Sequence, residues 1–595
     1  MNFIKCNLNG ITREKKMEHK YNGVGVVFKN RSVCKNMVLW GAIILLIAIL
    51  KPVLNLVNRN IINVLSSGAF TLKIIIMILL GYMLLQFLGE CLENISGYFG
   101  TKVFYVLNGE LMQRMNSKVA KIAMREFEAP EIYNLITRIR DGVESSFFSG
   151  LGNIISVITS VVSFAGNAII LYTINSYFPI IVVVASVPYM IAVLLQGKDN
   201  YGYLKKINPC LRKERYINEI LTSRSVMKDI RFFKLIGYMA EKAQVLRNNI
   251  YIIRKKLHIK LLTRGILTNF TRNLALGICL FILCYRSMEG DDIKAGDIVF
   301  LINTIQSITS TVTTISSNIS SVNKFAFFIK DWSQLMEVPE ETTGESEING
   351  YGIKFEKVSF SYSEELPNVL SDISFEIKEN EKVAIVGENG CGKSTLISLI
   401  LGLYKPMEGV ISVGGIELND VLDDAREKMV CIFQNYNRYQ LSIAENIYAG
   451  NFGEIHNEKS KNGSAEFIED LPLKEKTVLG QLEEGAHELS GGQWQQLAIM
   501  RALYREGSKI IIMDEPTAGI DPKIENEIYE NLTEITEGKT LILVSHRLSA
   551  TSLCDKIIVL SEGEIIEAGN HEELLKKKGK YYQMYSCQKE LYEKV

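Results

Sequence analysis

Nine consecutive residues, "GENGCGKST" (Gly387, Glu388, Asn389, Gly390, Cys391, Gly392, Lys393, Ser394, Thr395), carry the most explicit chemistry in the chain. Gly387, Gly392, Lys393 and Ser394 stand at the spacing G-x-x-x-x-G-K-[ST], after the apolar run "KVAIVG" and before the helix-like "STLISLILGL". Glycines there let backbone N–H groups wrap a β-phosphate, the lysine ammonium serves the β/γ oxygens and the serine hydroxyl ligates Mg2+. Strand, loop and helix in that order are the context the motif requires, so the expected cofactors are ATP and Mg2+. Further along, "KIIIMDEPTAG" is an apolar strand ending in Asp514, suited to hold the Mg2+ shell through water. Glu515 follows it, placed to polarise an attacking water.

Other positions read two ways from residue type alone. Tyr362 could stack on adenine or be an ordinary edge-strand aromatic. Gln434, in "CIFQNY", could sense a γ-phosphate or be a polar loop residue. His546, after the apolar run "TLILVS", could bond that phosphate or be a satisfied buried histidine. In "HELSGGQWQQLAIMRAL", Ser490 with Gly491 and Gly492 is a helix N-cap. A helix start of that kind is also an anion cradle, and the chain then has two.

The elements that carry these residues divide the chain by composition. It has 595 residues with 66 Lys+Arg against 66 Asp+Glu. Neutrality gives no sign of a nucleic-acid partner, which would need a concentrated basic face, and none is expected. The ten cysteines are scattered, with no CxxC pair or Cys/His cluster, which argues against a zinc site or a disulfide framework. Apolar runs lie almost entirely before residue 325: Met37–Val57, Leu72–Gln86, Leu151–Ile174, Phe178–Leu195, Gly265–Tyr285 and Ile298–Val322. Each approaches the ~20 residues needed to cross a ~30 Å hydrocarbon core. Six spans leave both ends on one side. Lys and Arg outnumber Asp and Glu in Gly197–Arg264 and at the N-terminus, so that side is expected to be cytoplasmic. The connections Gly97–Phe148 and Gly197–Arg264 are charged and helix-patterned, which predicts membrane helices continuing beyond the bilayer. Their turning points are expected near "FEAPEIYN" (Phe127–Asn134) and "LTSRSVMKDIRFFKL" (Leu221–Leu235).

The last span has an apolar stripe at Ile305, Ile308, Val312, Ile315, Ile319 and Val322, and is otherwise polar. Gln306, Ser307, Thr309, Ser310, Thr313, Thr314 and Ser317 cannot face lipid all round. They either line a cavity or bond to neighbouring helices. Arg272, inside the fifth span, either snorkels or faces the same cavity.

Taken together, "GENGCGKST", "CIFQNY", "ELSGGQ", "IIIMDEP" and "VSHR" stand in the order of an ABC-transporter nucleotide-binding domain. With six preceding spans, the chain resembles a bacterial ABC exporter half-transporter. The fold class that follows is a membrane all-α six-helix exporter domain (type IV ABC exporter-like), then an α/β P-loop ABC ATPase domain. The expected organisation is a basic segment 1–36, a membrane domain 37–330, a linker 331–350 and the ATPase domain 351–595. The resemblance implies adenine stacking by Tyr362, γ-phosphate and Mg2+ sensing by Gln434, catalysis by Glu515 as base and His546 as γ-phosphate switch. It implies that Leu489, Ser490, Gly491, Gly492 and Gln493 face the ATP held by a second subunit, with Asp521 also at the site. The two turning segments would lie at or near coupling helices. "AGID" (Ala518–Asp521) departs from the usual Ser-Ala-Leu-Asp, keeping the aspartate and losing the serine.

A homodimer in the cytoplasmic membrane is the expected assembly, with a heterodimeric partner as the alternative. Trp494 in "LSGGQWQ", with "LGQLEEGAHE", looks most like exporters of ribosomal peptides such as lantibiotics. Residues 1–36 are too few for the peptidase domain that some of those exporters carry. Peptide cargo is therefore expected, against a multidrug or lipid exporter moving amphipathic small molecules. A non-transporting ATPase with the same cassette is disfavoured by the fused spans.

Overall fold

The long apolar runs form long helices. A computed structural model describes residues 31–67, 71–224, 226–289, 293–341, 344, 346–363, 365–451, 466–505, 507–515, 536–545 and 551–593. In chain order the first part contains α1 (Arg31–Ser67), α2 (Leu72–Val119), α3 (Met124–Phe127), α4 (Pro130–Gly142), α5 (Phe148–Ile174), α6 (Phe178–Thr222), α7 (Met227–Phe232), α8 (Ile236–Met288) and α9 (Ala295–Glu337). A π-helical turn, Val143–Phe147, joins α4 to α5. At ~1.5 Å per residue, the 53 residues of α8 reach about 80 Å, far beyond a ~30 Å hydrocarbon core. Charged halves of α2, α6 and α8 are thus continuous with their apolar halves, as expected of extended membrane helices. Among the described residues five helices are long and apolar enough to cross a membrane, and Phe178–Ala192 of α6 is a shorter apolar stretch.

The chain separates into two compact units. Residues 1–120 and 130–338 make the helical one, whose apolar centre joins Leu171 of α5, Phe178 and Val182 of α6, Cys279 and Leu283 of α8, and Phe300, Leu301, Ile305 and Ile308 of α9. At the start of α9, Arg59 Nε is 2.6 Å from Asp297 Oδ1, and the Gly296 N–H donates to Asn63 Oδ1 at 2.8 Å. Residues 331–337, which composition assigns to a linker, are the last two turns of α9.

The second unit holds residues 121–129 and 339–595, so the short helix α3 belongs with the ATPase fold although both its chain neighbours are in the helical unit. Ile122 forms an antiparallel bridge with Glu340, and the Glu341 N–H donates to the Lys121 carbonyl at 2.7 Å. The elements that follow are β1 (Ile353–Phe360), β2 (Leu370–Ile377), β3 (Lys382–Gly387), α10 (Lys393–Ile400), β4 (Glu408–Val413), β5 (Ile416–Glu417), α11 (Leu422–Lys428), β6 (Met429–Ile432), α12 (Ile443–Tyr448), α13 (Glu466–Glu469), α14 (Gly491–Leu503), β7 (Ile510–Asp514), β8 (Thr540–Val544), β9 (Lys556–Ser561), β10 (Glu564–Gly569), α15 (His571–Lys577) and α16 (Lys580–Glu593).

Two sheets are built, in the orders β2-β1-β4-β5 and β10-β9-β3-β8-β7-β6. The first is antiparallel, while β9, β3, β8, β7 and β6 run parallel. Strands buried on both faces read as unbroken apolar runs. Every residue of β7 and β8 is accordingly buried. Because β3, β8 and β7 are adjacent and parallel, the segments leaving their carboxyl ends emerge side by side, the edge where open α/β sheets bind ligands. A separate small core, including Ile443, Ile447, Leu479, Leu489, Trp494 and Leu497, packs α12 against α14.

Candidate functional site

The phosphate loop connects β3 to α10 and its shape depends on two glycines. Gly392 has φ +107° and caps α10, and a Cβ there would lie 2.7 Å from Leu370 Cδ2. A Cβ on Gly387 would lie 2.3 Å from the Leu560 carbonyl oxygen. Lys393 is buried, and its Nζ donates to the carbonyls of Gly387 at 2.9 Å and Glu388 at 2.8 Å. A buried ammonium needs acceptors, and phosphate oxygens are the natural replacement for these two carbonyls. The loop also holds Cys391, whose thiol burial pushes up while the Lys393 ammonium opposes the shift. Cys431 on β6 is pushed up to about 12, by burial first and then by Asp514.

A cleft of about 420 Å³ opens over this loop. Its lining joins Asn389, Gly390, Gly392, Lys393, Ser394 and Thr395 to Gln434 and Glu515. Gln434 Nε2 donates to Glu515 Oε2 at 2.7 Å, tying the segment after β6 to the carboxylate after β7. Glu515 has φ +50°, a left-handed conformation that costs a non-glycine residue about 1 kcal/mol or more. Its N–H donates to Val544 O at 2.9 Å, so the strained turn is held by β8. Asp514 is the buried last residue of β7. The set is a glycine loop with a buried lysine and two hydroxyls, Ser394 and Thr395, the carboxylate of Glu515 on the cleft wall, and the buried Asp514 one residue before it. These residue types and their placement fit a nucleoside triphosphate with a divalent cation. His546 and Asp521 lie outside the described residues, although Ser545, next to His546, is at the end of β8.

Tyr362 follows β1 and its hydroxyl is 3.0 Å from Thr395 Oγ1, so the aromatic stands beside the phosphate loop with 39% of its surface exposed. Two rings meet it edge-on: Phe360 at 5.1 Å and Tyr404 at 5.4 Å between centroids. The phenol of Tyr404 is pushed well up, by burial first and then by a hydrogen bond to the Glu128 carboxylate. Glu128 immediately follows α3, so the segment at 121–129 reaches the neighbourhood of Tyr362 through one side chain. The same segment is braced by Glu341, which accepts from Arg426 at 2.7 and 2.9 Å, and Arg426 also donates to Leu401 O and Gly402 O.

The second cradle lies at the start of α14. Ser490 caps the helix by accepting from the Gln493 N–H at 3.3 Å, while Gln493 Oε1 accepts from the Ser490 N–H at 2.9 Å. Ser490 and Gly491 are exposed, and Tyr436 Oη donates to Gly491 O at 3.0 Å. Leu489 is buried beneath them. These residues are not among those lining the cleft at Lys393. Trp494 is 2% exposed and its Nε1 donates to Glu488 at 3.0 Å, so its physical work is packing and it presents no ring to a cargo.

In α9 the polar positions divide. Asn167 Nδ2 of α5 donates to Ser307 Oγ at 3.2 Å, placing Ser307 at a helix–helix contact. Ser310, Thr313, Thr314 and Ser317 donate to carbonyls of their own helix. Gln306, Ser310 and Ser317 are exposed in the single chain, and Thr313 and Thr314 half-buried. Thr309 lies within α9. Arg272 of α8 is half-buried, 3.4 Å from Asn273 Oδ1.

Residues missed by sequence reasoning are Val369, which lines the cleft, and the pair Glu128 and Tyr404. Val369 precedes a strand and has no distinguishing pattern. Tyr404 follows "LISLILGL" and its neighbour comes from the far side of the linear chain.

Residues 370–518 match the family model of the ABC transporter. With the fused helices, this chain is an ABC transporter ATPase domain joined to a multi-pass membrane domain, and it hydrolyses ATP. It is 28% identical to the subtilin transport ATP-binding protein SpaT of Bacillus subtilis, over 88% of this chain and 87% of that one. It is 26% identical to the nisin transport ATP-binding protein NisT of Lactococcus lactis subsp. lactis, over 89% and 90%. Its fold is that of a bacterial Atm1-family ABC exporter solved with ATP bound: TM-score 0.77, 20% identity, 94% of this chain and 99% of that chain.

Proposed function

We propose that the chain is one half of a homodimeric ABC exporter that moves a peptide of the lantibiotic or bacteriocin kind across the cytoplasmic membrane, with both termini cytoplasmic. The observation that carries the peptide reading is full-length similarity to transport proteins named for subtilin and nisin. In this reading Lys393 and Ser394 hold the phosphates and Mg2+, Asp514 acts on the Mg2+ shell through water, and Gln434 senses both. Glu515 takes the proton of the attacking water, its carboxylate oriented by Gln434. Tyr362 stacks on adenine, and Mg2+ supplies charge neutralisation along the triphosphate.

The exposed cap at Ser490 supports dimer action, because an anion cradle outside its own cleft needs the nucleotide of a second copy. His546 and Asp521 complete the proposed ATP site, and the polar face of α9 with Arg272 is the proposed route for cargo. The exposed Phe232 and Phe233 at the end of α7, 81% and 63% accessible, are suited to dock on the ATPase unit of that second copy. The test is export from inside-out vesicles: a precursor peptide with its leader should enter in an ATP-dependent manner and stimulate ATPase activity. Stimulation by lipids or lipophilic drugs with none by any peptide of a lantibiotic panel overturns the cargo and supports a lipid or multidrug exporter.

A further inference from the structure

The C-terminal helix α16 begins against the phosphate loop. Lys580 Nζ lies 2.5 Å from Glu388 Oε1, an ion pair between the first residue of α16 and the residue after Gly387. Lys580 is held in place from below. The Glu567 carboxylate accepts from the backbone N–H groups of Lys580, at 2.6 Å, and Tyr581, at 3.2 Å, capping the helix start with a negative charge. Tyr581 is fully buried, its hydroxyl 2.9 Å from Thr551 Oγ1 and 2.7 Å from His571 Nδ1. With the backbone of the helix start already ordered, the pair costs the immobilisation of two side chains, Lys580 and the more exposed Glu388.

Glu388 occupies an awkward place for a carboxylate. Its own carbonyl accepts from Lys393 Nζ, and Asn389 and Gly390 line the ATP cleft. Glu388 is not among the residues lining that cleft, and its carboxylate is paired with Lys580. Left unpaired, a flexible glutamate here could swing towards a polyphosphate and repel it. The ammonium of Lys580 holds the Glu388 carboxyl below its ordinary range, in keeping with a standing pair.

We propose that Lys580 is a positioning residue for ATP binding: by holding Glu388 outward, the C-terminal helix sets nucleotide affinity without touching nucleotide. The inference rests on ATP occupying the cleft at Lys393. Glu388 is exposed and Lys580 half-buried, so solvent screens the pair and the effect is modest, about two- to fivefold in affinity.

The experiment measures KM for ATP and kcat on the full-length protein in nanodiscs. K580A is expected to raise KM about two- to fivefold with little change in kcat, and K580R to restore KM. In an E388Q background, K580A should add nothing, because no carboxylate remains to be held. An unchanged KM in K580A overturns the inference. An equal rise in the E388Q background also overturns it, since Lys580 would then act as a general positive charge. K393A separates the two levels of argument: retained ATP binding in that variant defeats the site assignment itself, whereas an active enzyme indifferent to Lys580 defeats only this inference.

Discussion

Glu515→Gln is the sharpest perturbation of the ATP site, because the surroundings of residue 515 tell what the substitution keeps. The Gln434 amide donates to the carboxylate at 2.7 Å, and an amide oxygen at 515 can accept the same bond. The backbone at φ +50° is held by its N–H to Val544 O, which the side chain does not alter. The variant therefore retains shape, strain and orientation, and loses only the ability to take a proton. General-base catalysis contributes about 10²- to 10⁴-fold, so turnover should fall by that factor, about 3 to 5 kcal/mol in barrier. ATP affinity should hold or rise, since a negative charge leaves the mouth of the cleft. Phosphate release from purified protein reads the first quantity, and equilibrium binding of labelled ATP reads the second. Turnover within threefold of the wild type would refute the assignment of Glu515 as base. A parallel collapse of ATP binding would show instead that the change damaged the cleft.

Trp494→Ala empties a fully packed site between α12 and α14 and should destabilise the ATPase unit by about 3–5 kcal/mol; thermal unfolding checks this. Altered cargo preference at unchanged stability would contradict the packing role. Tyr404→Phe keeps the ring against Tyr362 and deletes the bond to Glu128, so it should leave basal ATPase and weaken cargo stimulation about two- to tenfold. Full stimulation in that variant would rule out the Glu128 contact as a link. Thiolate is the reacting form of cysteine, and burial raises the Cys391 thiol. Pulsed alkylation followed by peptide mapping should therefore label exposed Cys587 well before Cys391, and the reverse order would contradict the buried loop geometry.

The legible part of the site was the part built from contiguous residues. The phosphate loop, the strand ending in Asp514 and Glu515, and the cap at Ser490 each depend on backbone geometry that a few neighbouring residues dictate. Membrane helices were equally readable, because hydrocarbon leaves a helical chain no alternative for its backbone polar groups. One boundary differs from composition: α9 runs through to Glu337, since nothing in "KDWSQLME" breaks a helix, whereas the break between α3 and α4, at residues 128–129, falls inside the aromatic stretch expected to turn.

What sequence could not supply is the pairing of distant segments. Gln434 and Glu515 meet because β6 and β7 are adjacent parallel strands. Glu128 meets Tyr404 because a four-residue helix from the first extension is incorporated into the ATPase unit. Lys580 meets Glu388 because Tyr581 is buried beside it and orients the helix start. Trp494 shows the same limit from the other side: its motif points to a relative, while its burial shows what the ring does. Residue type and local spacing thus determined which chemistry the chain carries, since both act over one turn of backbone. Tertiary structure decided which distant groups meet around that chemistry, because ion pairs and ring contacts form across space and leave no period in the chain.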